Sequence, residues 1–162
     1  MNICAIDIHH HYVPNGLLEE TRNHGKTLGV ELIDANGEKA LSFAGGPKFV
    51  LQRELSAIDE RLKMMQESKL AIAALEAHTA TLGYRLTGEQ GESWYRLYNE
   101  GIKELITRHP DRFLGIASVP LQDPARAAKV LEHAVHDLKL SGGYNGTNVN
   151  GNYYNSTDFD PF

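Results

Sequence analysis

The segment Ala5–Pro14, AIDIHHHYVP, decides the fold that the rest of the sequence has to match. A short apolar run, Ile3–Ile8, is interrupted only by Asp7 and ends in three consecutive histidines. Short apolar runs that stop at polar residues are typical of strands buried on both faces in a parallel sheet. The sequence therefore predicts a first strand with three imidazoles at its carboxyl end.

Strand-like and helical segments alternate through the rest of the chain. The predicted helices are a short stretch at Leu17–Arg22, then Gln52–Lys69, Gln90–Arg108 and a segment after the N-cap Asp123. The further predicted strands are Leu70–Ala77, Phe113–Pro120 and a segment beginning at Ser141. This order indicates an α/β protein with parallel strands joined by right-handed crossovers. Histidines replace the glycine-rich phosphate loop of many open sheets, which favours part of a (β/α)8 barrel.

A different pattern interrupts this alternation at Val30–Phe43, VELIDANGEKALSF. Two partly alternating segments flank Asn36 and Gly37, a dipeptide that strongly favours a tight hairpin turn. We expect a small antiparallel hairpin inserted into the main fold, over residues 30–43. The 162 residues are otherwise predicted to form a single partial barrel domain.

Composition narrows the class of partner. The chain carries a net charge of −5 with no tract of like charge, which argues against nucleic acid or a membrane surface as the main partner. No run approaches the roughly 18 apolar residues of a membrane span. The single cysteine, Cys4, cannot form an internal disulfide, so a reduced core thiol is expected. These features predict a cytoplasmic protein.

The spacing of the histidines predicts a metal site. Side chains two residues apart in a strand share a face, so His9 and His11 project together and His10 projects to the other side. Barrel enzymes place their catalytic groups at this end of a strand, and imidazole is a good ligand for zinc and other divalent transition metals. We predict a metal pair at His9 and His11, with Asp7 supporting it. The alternative is a solvated polar loop after the strand.

The segment IDIHHHYVP resembles the metal-binding start of the amidohydrolase superfamily. The more specific similarity lies in RHPDRFLGIASVPLQDPARAAKVLEHAV (Arg108–Val135), in GTNVNG (Gly146–Gly151) and in the final DFDPF. These segments resemble the decarboxylase branch, the amidohydrolase 2 or aminocarboxymuconate-semialdehyde decarboxylase-like family. The resemblance covers nearly the whole chain apart from the hairpin.

The resemblance implies the N-terminal half of a metal-dependent (β/α)8 TIM barrel, usually holding zinc, with His9 and His11 as its first two metal ligands. In the family, further ligands follow strands five and eight, and a histidine follows strand six. A full barrel needs about 250 residues and eight strands, of which this sequence supplies four. The catalytic residues are therefore unknown from this stretch. A complementary C-terminal half or a homo-oligomer is the expected partner, since a half-barrel leaves strand edges exposed.

Three functions remain open on this basis. The resemblance implies a non-oxidative decarboxylase (carboxy-lyase) that acts on an aromatic or muconate-type carboxylic acid. The first alternative is a metal-dependent hydrolase of the same superfamily. The second is a catalytically inactive half-barrel that binds a partner or its own copies. Whether the chain is an enzyme by itself is left undecided by the sequence.

Two residues are candidates for binding a carboxylate substrate. Arg53 follows the hairpin, where relatives often carry an arginine whose guanidinium fork suits a carboxylate. The alternative is a surface arginine paired with Glu54 or Asp59. His78 follows the second barrel strand and is expected near the barrel mouth, where the alternative is a pocket wall or a loop residue.

Overall fold

The computed structural model describes residues 5–35 and 37–162, so Ile3, Cys4 and the turn residue Asn36 lie outside the described residues. The expected barrel strands form a parallel ladder. Its first three members are β1 (Ile6–His11), β5 (Ile72–Glu76) and β6 (Phe113–Gly115), in that spatial order, and β7 (Ala117–Ser118) pairs in parallel with β8 (Gly143–Tyr144). The α/β class and the order of a partial barrel are therefore confirmed.

The third predicted strand is divided into β6 and β7 at Ile116. The backbone N–H of Ile116 still donates to the carbonyl of Leu75 on β5, at 2.8 Å, so the two pieces act as one barrel strand. The fourth strand is short, because Gly142, Gly143 and Asn145 are residue types that favour strands poorly. The ladder thus places the ends of all four strands along one edge.

The inserted hairpin is present and is larger than predicted. The strands β2 (Val30–Ala35) and β3 (Glu38–Phe43) pair antiparallel, with Val30 opposite Phe43. A third strand, β4 (Lys48–Leu51), pairs antiparallel with β3 and was not predicted. The chain reverses before β4 through Ala44 and Gly45, both of which have positive φ angles (48° and 69°).

Four helices connect the strands. They are α1 (Asn15–Leu28), α2 (Ile58–Glu67), α3 (Gly88–Arg108) and α4 (Pro124–His136). The helix α1 continues well beyond the predicted Leu17–Arg22 and ends at Gly29, whose φ is 69°. The helix α2 begins later than predicted, because residues 53–55 form a separate 3₁₀ turn. None of the helices in the described part of the chain is long and apolar enough to cross a membrane.

The helix α3 lies at the centre of the core. Its N-terminus has a capping box, in which Thr87 and Gln90 each accept the other's backbone N–H. Its inner face is completely buried at the residues Trp94, Tyr95, Tyr98, Ile102 and Leu105. Trp94, Tyr95 and Tyr98 are the three largest fully buried side chains of the described chain, so this helix contributes strongly to apolar burial.

Polar side chains of α3 also hold the segments that follow the barrel strands. The Tyr98 hydroxyl donates to the carbonyl of Tyr12, at 2.6 Å, and Trp94 Nε1 donates to the carbonyl of Thr81, at 3.0 Å. The Asn99 amide donates to the carbonyl of Ser118 and accepts its N–H, at 3.0 and 2.9 Å. One helix therefore fixes the backbone after β1, after β5 and within β7.

One expectation about β1 is wrong. The strand was predicted to be buried on both faces, but Ile6 and Ile8 are 51% and 80% exposed, and Leu114 on β6 is 42% exposed. The helices cover one face of the parallel sheet, and no element among residues 5–35 and 37–162 covers the other. The apolar pattern of β1 is therefore typical of a strand covered on both faces. In the described chain only one of its faces is covered. We call this surface, formed by Ile6, Ile8 and Leu114, the open sheet face.

Replacing Asn99 with alanine should destabilise the protein by about 3 kcal/mol, because both backbone polar groups of the buried Ser118 lose their partner. Urea unfolding followed by circular dichroism measures this loss. Replacing the exposed Asn23 on α1 with alanine is the control and should change stability by less than about 0.5 kcal/mol. Equal effects of the two substitutions would contradict an anchoring role for Asn99.

Candidate metal centre

An irregularity in β1 shapes the site. The register pairs Asp7 with Ala73 and His10 with Leu75, so Ile8 and His9 together lie opposite the single residue Ala74 of β5. The carboxylate of Asp7 accepts the backbone N–H of His9 at 3.0 Å, and its other oxygen lies 2.7 Å from Nδ1 of His10. Asp7 therefore stabilises the bulge formed by Ile8 and His9. It also holds the ring of His10 away from those of His9 and His11.

His9 and His11 lie together with a third donor, Glu76. Their ring centroids are 4.7 Å apart, and His11 is directly opposite Glu76 in the β1–β5 register. One possible ligand atom from each of His9, His11 and Glu76 can be chosen so that all lie within 4.8 Å of one another. The side chain of Glu76 is only 4% exposed, that of His11 is 23% exposed and that of His9 is 60% exposed. The group thus has a buried base and one side open to solvent.

The backbone fixes which nitrogen of His11 is available. A carbonyl oxygen can only accept, so the contact of 3.1 Å between Nδ1 of His11 and the carbonyl of Ala77 places the proton on Nδ1. Nε2 of the neutral ring then carries a free lone pair. Burial, followed by the nearby His78 and His9, lowers the pKa of His11, which favours this neutral form. His11 therefore has an unprotonated nitrogen, Nε2, that could bind a metal ion.

His78 has the opposite tautomer. Its Nδ1 accepts the backbone N–H of Ala80 at 3.1 Å, so the proton of the neutral ring is on Nε2. Burial lowers the pKa of His78 as well, again favouring the neutral ring. Its ring lies 4.7 Å from that of His11 and stacks on Phe49 of β4 at 4.9 Å. The structure thus brings His78 to the histidine pair as a hydrogen-bond donor, in contact with the inserted sheet.

Sequence reasoning did not single out two residues of this group, Glu76 and Tyr144. Burial raises the pKa of Glu76, and the adjacent His9 partly offsets that effect. The ring of Tyr144, at the end of β8, lies 5.7 Å from that of His9 and 6.2 Å from that of His11. A signal for Glu76 was present: it is the one charged residue in an otherwise apolar strand, at the carboxyl end. Tyr144 belongs to a strand too irregular for its face to be predicted.

Arg53 is not brought to this group. Its side chain is 78% exposed and forms an ion pair with Glu60 instead of the expected Glu54 or Asp59. It lines a cleft between α1, α2 and the C-terminal end of α3, and neither His9 nor His11 lines that cleft. The position thus matches the surface-arginine alternative.

The donor set fits a divalent metal ion. Two imidazoles and a carboxylate are ligands that zinc and manganese accept. The Oε1 atom of Glu76 is buried and accepts no hydrogen bond, although Nδ1 of His9 lies against it. A buried carboxylate oxygen without a donor is costly unless a cation is close to it. The residues present therefore fit a divalent cation by the chemistry of their donor atoms.

These observations define a barrel with a candidate metal centre at the carboxyl ends of its first strands. The amidohydrolase family model matches residues 6–162, so the chain belongs to the amidohydrolase family. It is 31% identical, over 121 residues, to the γ-resorcylate decarboxylase of Rhizobium radiobacter, covering 71% of this chain and 37% of that protein. It is 25% identical, over 150 residues, to the 2-amino-3-carboxymuconate-6-semialdehyde decarboxylase of Dictyostelium discoideum, covering 90% of this chain and 41% of that protein.

The fold resembles a solved structure of a 5-carboxyvanillate decarboxylase variant from Novosphingobium aromaticivorans. The TM-score is 0.68 at 16% identity, covering 99% of this chain and 47% of that one. That structure contains manganese and 3-methoxy-4-hydroxy-5-nitrobenzoic acid. The chain spans less than half the length of each of these three proteins. The predicted aminocarboxymuconate-semialdehyde decarboxylase-like family and the partial barrel are confirmed.

Replacing Asp7 with alanine should destabilise the metal-free chain by about 1 kcal/mol, because the N–H of His9 and the His10 ring both lose a partner. Asp7→Asn should lose less, since its amide oxygen can still accept from His9. Urea unfolding measures both variants. The control is Asp137→Ala, which removes a similar contact with His133 (2.6 Å) on the surface of α4 and should cost less than about 0.5 kcal/mol. A loss for Asp7→Ala no larger than this control would contradict the proposed support of β1.

Proposed function

We propose that this chain is the N-terminal part of a metal-dependent decarboxylase that acts on an aromatic or muconate-type carboxylic acid. The observation that carries the proposal is the pair of opposite tautomers at the strand ends. His11 presents a lone pair, and the adjacent His78 presents an N–H donor. A metal ligand beside a donor for a carboxylate is the arrangement that such a substrate requires.

The metal site of the proposal consists of His9 and His11, and zinc is the proposed ion. Both nitrogen donors suit zinc, and the Novosphingobium structure contains manganese, another divalent transition metal. A divalent ion bound there supplies Lewis-acid stabilisation of negative charge on the substrate. The position of the pair at the carboxyl end of β1 is where barrel enzymes carry out their chemistry.

The substrate part of the proposal rests on three rings around the pair. The Nε2–H of His78 is free to donate to a carboxylate oxygen, because its Nδ1 is already occupied. Phe49 stacks on the ring of His78. Tyr144 lies beside the ring of His9, at the other end of the group. Aromatic side chains provide apolar, edge and face contacts that suit a planar ring. The aromatic acid in the Novosphingobium structure supports the same class of substrate.

In the proposed reaction the bond between the carboxyl carbon and its neighbour breaks, CO₂ leaves and a proton takes its place on that neighbour. His78 would hold the carboxylate before this step through its Nε2–H. Glu76 and the partly buried His11 form the enclosed side of the site.

The experiment that tests this activity is a measurement of CO₂ release from γ-resorcylate and related acids in the presence of Zn²⁺ or Mn²⁺. The chain is assayed alone and mixed with the C-terminal half of a decarboxylase relative. Release is expected in the mixture and should fall at least about 100-fold in His9→Ala and His11→Ala, since each loses a metal ligand. The control His24→Ala changes an exposed histidine of α1 and should retain activity. Metal-loaded mixtures without any release, or release unaffected by the histidine substitutions, would count against decarboxylation.

The proposal includes a partner that covers the open sheet face. Ile6, Ile8 and Leu114 form an apolar surface on the parallel sheet, and contiguous apolar surface favours association. The relatives are more than twice as long as this chain, which supports a complementary C-terminal half as the occupant. In the absence of that half, two copies of the chain would cover the same face.

The purified chain alone should therefore form a dimer or a larger species through this face. Ile8→Lys should shift it towards the monomer, because association would bury a charge that has no partner. Sedimentation velocity measures the change. Met64→Lys, on the exposed side of α2 where Met64 is 40% exposed, is the matched control and should leave the assembly unchanged. A monomeric wild-type chain would rule out self-association at the open sheet face.

A further inference from the structure

The buried carboxylate of Glu76 has one oxygen, Oε1, that lies against Nδ1 of His9 and has no partner in hydrogen-bonding geometry. The residue is 3% exposed, and its Oε1 atom accepts no hydrogen bond. From this we propose that Glu76 is the third protein ligand of the metal ion at His9 and His11. The inference rests on the proposed metal site and adds to it a ligand from the second barrel strand.

The parallel register brings the three donors together. His11 is directly opposite Glu76, so their side chains leave β1 and β5 on the same face. The bulge at Ile8 and His9 then directs His9 to the same carboxylate oxygen. One possible ligand atom from each residue can be chosen so that all lie within 4.8 Å of one another, whereas donors on one zinc ion are about 3.5 Å apart for bonds of about 2.0–2.2 Å. Small side-chain rotations supply the difference.

The chemistry of this set matches that of catalytic metal sites. Three protein ligands with an open position are typical of catalytic zinc, and two histidines with one glutamate are an established combination. The open position is available on the solvent side, because His9 is 60% exposed while Glu76 is enclosed. A bound cation would also offset the cost of burying the carboxylate.

Neighbouring candidates for the third ligand are less suitable. The lone pair of His78 at Nδ1 is used by the N–H of Ala80, and its Nε2 carries the proton. The carboxylate of Asp7 is occupied by the His9 backbone and the ring of His10. Glu76 is thus the donor beside the pair whose coordinating atom is buried and is contacted by His9, itself one of the proposed ligands.

It follows that β1 and β5 together supply three ligands of this site. The 162-residue chain should then bind one divalent transition metal ion without a contribution from any other chain. The prediction differs from that of a two-histidine site, which would hold a metal weakly because one ligand fewer provides less coordination energy and a less defined geometry.

The test is a titration of the metal-free 162-residue chain with Co²⁺, whose visible absorption reports on coordination geometry, followed by displacement with Zn²⁺. We expect one Co²⁺ per chain. Glu76→Gln, which keeps the shape and removes the charge, should weaken binding at least about tenfold and change the absorption spectrum. Glu67→Gln, which changes an exposed carboxylate on α2, should bind as the wild type does.

The outcomes separate this inference from the proposed function. Wild-type binding and spectrum in Glu76→Gln, together with lost binding in His9→Ala and His11→Ala, would overturn the role of Glu76 and leave the histidine site standing. Unchanged binding in all three variants would overturn both. If Glu76→Gln does not fold by circular dichroism, Glu76→Asp decides: a carboxylate that is a ligand should retain Co²⁺ binding with an altered spectrum, and an unaltered spectrum and affinity would overturn the inference.

Discussion

The hydrogen bond from the Tyr98 hydroxyl to the carbonyl of Tyr12 joins the central helix to the residue that follows His11. It is 2.6 Å long, and both residues are buried, so neither group can exchange its partner for water. An unpaired buried polar group costs about 1–3 kcal/mol, which makes such a bond a strong positional constraint. The same helix holds Thr81 through Trp94 and Ser118 through Asn99. The ends of three barrel strands are thereby fixed relative to one another before any ligand is considered.

The chemical difference between the histidines follows from this fixed backbone. The carbonyl of Ala77 and the N–H of Ala80 are three residues apart in the segment that leaves β5, and each fixes the tautomer of a different ring. In the proposed site, His11 is therefore the lone-pair donor towards a metal, and His78 is the hydrogen-bond donor towards an anion. Two identical side chains in contact can therefore have complementary roles because their backbone partners differ. The burial that lowers both pKa values keeps both rings in the neutral form in which this difference exists.

The sequence predicted the features that depend on local patterns. The apolar runs gave the parallel strands, Asn36 and Gly37 indicated the hairpin, and the N-cap of α4 at Asp123 accepts the N–H of Arg126 as expected. The features it missed depend on register between distant segments. Glu76 is next to His11 only because β5 pairs with β1 in one particular register. The segment LAIAALEA (Leu70–Ala77) contains no local signal that predicts this register. The exposure of Ile8 was also unpredictable. An apolar pattern predicts that a strand is buried in the complete fold, but it does not say which segments bury it.

The bulge links the open sheet face to the metal centre. His11, Glu76 and His78 are held by the β1–β5 ladder and by backbone hydrogen bonds, and their side chains are at least partly enclosed. His9 is different, because it and Ile8 together lie opposite the single residue Ala74. Its backbone N–H is held by Asp7, and its side chain is 60% exposed. Its neighbour in the bulge, Ile8, is the most exposed large apolar residue of the described chain. In the proposed assembly, a partner that covers Ile8 would lie next to the exposed side chain of His9, so covering the sheet and ordering this proposed metal donor are coupled.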